Sequence, residues 1–405
     1  MLAALENGVK NGVWYSLVDK VCAPRTLEAS WRRVRANAGS AGVDEMSVKR
    51  FEQHAERYLE ELSTALRADR YRPQGVRRVN LPKPGGGVRP LGIPVVKDRI
   101  VQGALKLVLE PIFEREFSAR SYGFRPGRSA KDALREVDGL LKDGFTWVVD
   151  ADLKSYFDTI PHDRLMERVR TRVRDGRVLK LIERYLKQEI MDGTERWTPS
   201  QGSPQGAVLS PLLANIYLHE MDVELGARYR MVRYADDFVV LCADESEART
   251  ALEAVRAWTD RNGLILHPEK THVGDASVPG QGFEFLGYRF EGGRRYVRPK
   301  SLRAFKDRIR ARTRRSRGDS VTQIIADLNP MLRGWFNYFK HAHYWVFRSL
   351  DGLVRRRLRA IRRKQQKRVG RGWTHADHRR WPNRYFAERG LFSLQTAHVL
   401  ARRSR

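Results

Sequence analysis

Residues 231–243 run Met231-Val232-Arg233-Tyr234-Ala235-Asp236-Asp237-Phe238-Val239-Val240-Leu241-Cys242-Ala243. Two runs rich in β-branched and aromatic residues meet at Ala235-Asp236-Asp237, which predicts two buried strands joined there. Upstream, Thr146 to Leu153 is apolar apart from Asp150 and Asp152 and predicts another buried strand. An ionised carboxylate inside an apolar strand is costly unless a cation or hydrogen bonds compensate, and neighbouring carboxylates repel. Strand alternation puts Asp150 and Asp152 on one face. The pattern points to Asp152, Asp236 and Asp237 converging on a pair of Mg²⁺ ions, hard cations that prefer carboxylate oxygens and keep positions for water and phosphate. Two such ions serve in-line phosphoryl transfer. The competing assignment, turn capping or pairing with arginine, is given to Asp150, Asp158 and Asp163.

Working outward, apolar spacing predicts helices over Val48 to Ala68, Lys97 to Phe117, Ser129 to Lys142, Asp163 to Met191, Pro211 to Leu225 and Glu245 to Asn262. Val76 to Leu81 and Val88 to Ile93 flank Pro82-Lys83-Pro84-Gly85-Gly86-Gly87, a hairpin whose glycines and prolines supply the turn. Phe283 to Phe290 and Arg294 to Arg298 predict a last hairpin turning at Gly292-Gly293. From Lys300 the pattern is helical. Strands and helices are interspersed along the chain, and the expected fold class is α+β.

The 405 residues carry 77 Lys plus Arg against 48 Asp plus Glu, a net +29. Arg294 to Arg405 holds 32 basic and 6 acidic residues, so nearly all the excess sits in the last 112. Such a field attracts a polyanion with steep salt dependence. Two cysteines, Cys22 and Cys242, exclude a disulfide framework and a Cys-rich zinc module and suggest a reducing compartment. His375 and His378, without cysteines nearby, are not read as a zinc site. No apolar run has the length of a membrane span and the N-terminus lacks a secretion signal, so the expectation is a soluble cytoplasmic protein with no membrane partner.

Tyr234-Ala235-Asp236-Asp237 resembles the Y-x-D-D signature of reverse transcriptases, and Asp152-Leu153-Lys154-Ser155-Tyr156-Phe157 the block carrying their first metal-binding aspartate. Ser121-Tyr122-Gly123-Phe124-Arg125-Pro126, the segment from Gln201 to Pro211 and the hairpin bearing Lys83 and Arg89 stand in the matching order. Together, from about Val43 to the C-terminus, the chain resembles the bacterial group II intron reverse transcriptases, or maturases. The resemblance implies a right-hand polymerase, with fingers and palm followed by a helical thumb. It implies that the Leu153 carbonyl helps Asp152, Asp236 and Asp237 hold the metals and that Lys83 and Arg89 hold the nucleoside triphosphate. Gln205 and Gly206 would line the nucleotide and template pocket, Phe157 would exclude a 2′-hydroxyl, and Lys270 would protonate or neutralise pyrophosphate. Phe285-Leu286-Gly287-Tyr288 resembles the hairpin that grips the primer.

The implied domains are an N-terminal helical extension and start of the fingers (1–75), fingers and palm (76–298), thumb or maturase domain (299–368) and a basic tail (369–405). Leu328 to Phe339 resembles the maturase block. Each thumb helix has one apolar stripe, such as Leu350, Val354, Leu358 and Ile361, and in Ser301 to Arg315 and Trp345 to Lys367 basic residues, mostly arginines, cover the other faces. That predicts a small bundle with a rigid phosphate-binding wall, and Arg125, Arg308, Arg312, Arg355, Arg359, Arg362 and Arg363 are the candidate contacts to nucleic acid. The tail either touches nucleic acid or packs back on the thumb. Many relatives append an endonuclease domain; this sequence stops with no Cys-rich cluster, so that activity is expected to be absent.

The expected function is an RNA-directed DNA polymerase that copies intron RNA from a DNA primer and assists splicing as a maturase. Its expected partners are the intron RNA, an RNA template with DNA primer, target DNA and deoxynucleoside triphosphates. It would join the nucleoid when acting on DNA. The rivals are a non-catalytic RNA-binding splicing factor, a reverse transcriptase recruited to a host role such as phage defence, and an RNA-directed RNA polymerase.

Overall fold

In the N-terminal part of the chain, β1 (Val76–Pro82) and β2 (Val88–Ile93) form an antiparallel hairpin, with Leu81 opposite Arg89. β3 is Trp147–Asp152, β4 Ile190–Asp192 and β5 Glu195–Trp197; the hairpin extends to a four-stranded sheet of order β2-β1-β4-β5, in which β1 and β4 run parallel. β6 (Arg230–Tyr234), β7 (Asp237–Cys242) and β8 (His272–Asp275) complete a second sheet of order β6-β7-β3-β8. This is a computed structural model, and it describes residues 12–82 and 87–403. Lys83 lies outside the described residues.

The second sheet lies in the hydrophobic core, with unbroken apolar runs within β3 and β7. Val148, Val149, Ala151, Val232, Phe238, Val239, Val240 and Leu241 are all buried. Two helices whose residues are mostly buried, Val96–Glu114 and Ser210–Gly226, lie within the same core. Helix Ala130–Lys142 starts from a capping box, Ser129 with Asp132.

Two predicted helices are broken. Val48 to Ala68 divides into Val48–Glu52 and Ala55–Arg67, and both pieces add a ring to one cluster, Trp31–Phe51 at 4.7 Å and Phe51–Tyr58 at 5.0 Å. Asp163 to Met191 divides into His162–Arg170 and Gly176–Leu186 and ends in β4. Asp175 causes the second break. Its carboxylate accepts N–H bonds from Arg177 and Val178 at the new helix start and from Leu17 and Val18 far away in sequence. Those bonds hold its carboxyl below the usual range, against the opposing effect of burial.

The chain parts into two compact units between Val273 and Gly274, earlier than the change of charge suggests. In the second unit β9 (Phe283–Phe285), β10 (Tyr288–Glu291) and β11 (Arg294–Val297) form an antiparallel sheet. Both of its turns have two residues at positive φ, Leu286-Gly287 and Gly292-Gly293, the type I′ pattern that suits strand twist. The predicted strand Phe283 to Phe290 is therefore two strands. The sheet belongs with the helices that follow: Tyr288 Oη donates to the Tyr338 carbonyl at 2.7 Å and Tyr338 Oη to the Leu286 carbonyl at 2.8 Å.

Helices Pro299–Arg312, Val321–Phe339 and Trp345–Gln365 bury their apolar stripes against one another, with Phe305 stacked on Trp335 at 4.3 Å. Residues beyond Gly370 pack on them. Leu394 and Phe386 are fully buried, and Asp351 takes the Ser393 hydroxyl and the N–H of Leu394 and Gln395.

Candidate active site

The site begins with strand register. β3 and β7 pair antiparallel with Asp152 directly opposite Asp237, and β6 and β7 pair with Tyr234 opposite Asp237. Residues opposite one another share a face with Cβ atoms about 5 Å apart, so Asp152 and Asp237 stand side by side at one sheet end. Asp236 occupies the two-residue turn between β6 and β7. Burial pushes its carboxyl above the usual range, and the Asp152 charge adds to this, while Arg89 and Arg233 oppose it. Asp152 thus shares one end of the sheet with Asp236 and Asp237, far from it in sequence.

Local packing dictates the turn. Ala235 adopts φ +60°, a left-handed conformation that costs a residue with a Cβ roughly 1 kcal/mol or more. Below it Arg233 is fully buried. Its guanidinium bonds to Asp222, to Asn215 Oδ1 at 3.0 Å and to the Ala235 carbonyl at 2.9 Å. Above it lies Ser121–Phe124: the Tyr122 N–H donates to the Arg233 carbonyl at 2.9 Å, and a Cβ on Gly123 would lie 2.3 Å from the Ala235 nitrogen. Gly123 is the residue that lets this segment seat on the turn.

The other predicted residues fall around that end. Ile265–His267 runs beside the end of β3, where the His267 N–H donates to the Asp152 carbonyl at 2.7 Å and Leu153 bridges Leu266. The following turn brings Lys270 back so that its ammonium pairs with the Asp152 carboxylate. Arg89 is exposed on β2. The Gly92 N–H donates to the Gln205 carbonyl at 2.6 Å, and a Cβ on Gly206 would meet the Gly92 carbonyl at 2.4 Å. Gln205 and Gly206 are thereby fastened to the hairpin that carries Arg89. Phe157 is half-buried, edge-on to Phe124 at 6.3 Å and to Tyr156 at 5.6 Å.

Several arginines assigned to nucleic acid correct that expectation. Arg125 is buried, paired with Glu114 and bonded to the Ser118 and Ser121 carbonyls. Arg359 is buried, bonded to the Trp381 carbonyl and Asn383. Both close structure from inside and offer no surface to a phosphate. Arg363 is half-buried on Asp377, and Arg355 lies 3.7 Å from Asp351. Arg362 is half-buried and bonds Gln365, whereas Arg308 and Arg312 are exposed.

Periodicity and motif spacing assign no role to Arg233, Asp222 and Asn215, and none to Gly123 beyond its place in the Ser121 to Pro126 block. The available signal was Arg233 itself, a lone charge within a strand read as buried. For metal, the donor set is chemically suited: carboxylate oxygens at one sheet end match a hard divalent cation. Among the described residues, no three His, Cys, Asp or Glu groups are already gathered closely enough to hold an ion, and Lys270 is the cation beside Asp152.

Strand order and carboxylate register together define a nucleic-acid polymerase of the right-hand type. The reverse transcriptase (RNA-dependent DNA polymerase) family matches residues 81–290, just over half of the chain, and the group II intron maturase-specific domain matches residues 302–381. Protein YkfC of Escherichia coli K12 is 36% identical, over 67% of this chain and 82% of its own length. The group II intron-encoded protein LtrA of Lactococcus lactis is 33% identical over 55% of this chain and 38% of its own length. A 91 kDa protein in the cob intron of Schizosaccharomyces pombe is 38% identical over 40% of this chain and 20% of its own. The chain belongs to the reverse transcriptase family, in the branch that carries a group II intron maturase-specific domain. No helix among the described residues is long and apolar enough to cross a membrane.

Proposed function

We propose that this chain copies a group II intron RNA into DNA from a DNA primer and binds the same RNA to assist its splicing. The observation that carries the polymerase half is the Asp152–Asp237 register beside the Asp236 turn. In the reaction the primer 3′-oxygen attacks the α-phosphorus of a deoxynucleoside triphosphate, a new P–O bond forms, and the bond to pyrophosphate breaks. Asp152, Asp236 and Asp237 would hold two Mg²⁺ ions, with the Leu153 carbonyl assisting. When bound, these ions supply the Lewis acidity that activates the hydroxyl and neutralises the leaving group.

The chain's own cations do the rest. Arg89, exposed on β2, and Lys83 hold the triphosphate. Lys270, beside Asp152 in the absence of substrate, is placed to meet the departing pyrophosphate with a proton or a charge. Phe157, braced by Phe124 and Tyr156, stands as the wall that a ribose 2′-hydroxyl would strike. Gln205 and Gly206 set the floor of the nucleotide pocket. Exposed arginines such as Arg308 and Arg312 supply sequence-independent hold on phosphates.

The test is primer extension with an RNA template, deoxynucleotides and Mg²⁺, together with sequencing of RNA that copurifies with the protein. Extension abolished by Asp236→Ala, and enrichment of an intron RNA that encodes this chain, are the expected results. Protein that binds the RNA tightly and never extends a primer would leave only a splicing role.

A further inference from the structure

Four rings stand in series in the C-terminal unit, outside the cluster that forms its core. Centroids are 5.5 Å apart from Tyr296 to His343, 4.7 Å from His343 to Tyr344 and 5.1 Å from Tyr344 to Trp345, with the last pair inclined by only 27°. Tyr344 and Trp345 are 47% and 54% exposed, whereas Trp335, Phe336, Phe339 and Phe347 nearby in sequence are buried. Large rings are normally where burial gains most, so two adjacent exposed ones in a unit with a complete aromatic core need another reason.

Their placement is rigid. His343 and Tyr344 fall in the short connection between helices Val321–Phe339 and Trp345–Gln365, Trp345 opens the second helix and Tyr296 lies on β11, where the His343 N–H donates to the Arg295 carbonyl at 2.7 Å. Tyr344 already has helical dihedrals, φ −58° and ψ −29°. The ladder is therefore anchored at a strand on one side and a helix on the other. Rings fixed in advance lose little further freedom when a ligand stacks on them.

Charge narrows the ligand. The Arg348 guanidinium lies 5.8 Å from the Trp345 centroid, and Arg294 is close enough to His343 to act on it. Burial and that charge hold His343 below the usual imidazole range, so its ring is uncharged at neutral pH. The stretch Arg294–Arg405 has 32 basic and 6 acidic residues, a field for a polyanion. A polyanion that also uses exposed ring faces is a nucleic acid with unpaired bases, since a duplex keeps its base faces stacked inside.

We infer that Tyr296, His343, Tyr344 and Trp345 form a stacking platform for unpaired bases of single-stranded RNA, with Arg294 and Arg348 taking the adjoining phosphates. RNA as the source rests on the maturase half of the function proposed above; the platform itself rests on the rings.

The experiment uses full-length protein and fluorescence anisotropy with three probes: oligouridylate, oligodeoxythymidylate and an RNA–DNA duplex. Tyr344→Ala with Trp345→Ala should weaken oligouridylate binding about fivefold or more, while duplex affinity holds. Tyr344→Phe with Trp345→Phe should keep wild-type affinity. Arg348→Ala should shallow the salt dependence of oligouridylate binding without abolishing it. Should the double alanine variant melt early, Trp345→Ser alone carries the same expectation. Unchanged oligouridylate affinity, or an equal loss on duplex, overturns the platform. A loss confined to oligodeoxythymidylate overturns RNA as its ligand. Wild-type protein that binds oligouridylate through these rings but cannot extend a primer defeats the polymerase proposal alone.

Discussion

Arg233 and Asp222 are joined inside the N-terminal unit by two parallel contacts, Nε to Oδ1 at 2.7 Å and Nη2 to Oδ2, with essentially no exposure of either side chain. The same guanidinium reaches the Ala235 carbonyl. A buried ion pair therefore lies directly beneath the turn that presents Asp236, and it orders a left-handed alanine that nothing local favours. Removing one partner leaves a buried charge. Asp222→Ala should cost about 3–5 kcal/mol in urea unfolding. Asp222→Leu with Arg233→Met should regain much of that stability while primer extension stays low, because the bond to the Ala235 carbonyl is gone.

Gly123→Ala tests the packing from the other side. The added Cβ meets backbone at 2.3 Å, so the turn itself must shift. A displacement of about 1 Å near reacting groups can cost on the order of 100-fold in rate. Extension should fall by at least tenfold (about 1.4 kcal/mol) with nucleic-acid affinity retained, as measured by single-turnover kinetics and anisotropy.

Asp98 should make stability depend on pH. It is fully buried between Tyr71, Gln188 and the Gln74 N–H, and burial pushes its carboxyl up to about 6 from 3.8. The folded state thus holds the proton more tightly than the unfolded chain. Its contribution is full below pH 3.8 and is lost as pH rises through about 6, a change of about 3 kcal/mol. Asp98→Asn should flatten this part of the stability–pH curve in urea titrations.

Lys270→Gln should separate two roles of one lysine. Without its ammonium, Asp152 is open to other cations, and Mn²⁺ should bind about two- to fivefold more tightly in the absence of nucleotide, since an exposed pair of this kind is worth up to about 1 kcal/mol. Electron paramagnetic resonance of free Mn²⁺ reads this directly. Extension should slow in the same variant; unchanged Mn²⁺ affinity would show that the pair does not compete with metal.

Phe157→Ala should raise ribonucleotide incorporation relative to deoxynucleotide incorporation by at least about tenfold, a loss of discrimination of about 1.4 kcal/mol. Competition between the two nucleotides on one template measures it.

The strands bearing the three aspartates were legible because an apolar strand cannot hide a carboxylate without a purpose. The break at Asp175 was legible only in part, because its bonds to Arg177 and Val178 are local but those to Leu17 and Val18 reach more than 150 residues away. Periodicity continues through such a point unmarked. Arg359 and Arg125 misled for a related reason: composition counts an arginine as surface, and only tertiary contacts with Trp381 or Glu114 reveal one facing inward. Conversely, the strand ending at Phe290 reads as continuous because Leu286, a residue rare at positive φ, takes the first position of a type I′ turn that only Gly287 marks.

The reciprocal bonds between Tyr288 and Tyr338 also say where this polypeptide can be cut. A truncation that starts at Arg298, where the charge rises, would strip the helices of their small sheet and bare Phe339 and Tyr338. One that starts just after β8 keeps the hydroxyl-to-carbonyl exchange intact and is the excision from which a separately folding, strongly cationic fragment should be recovered.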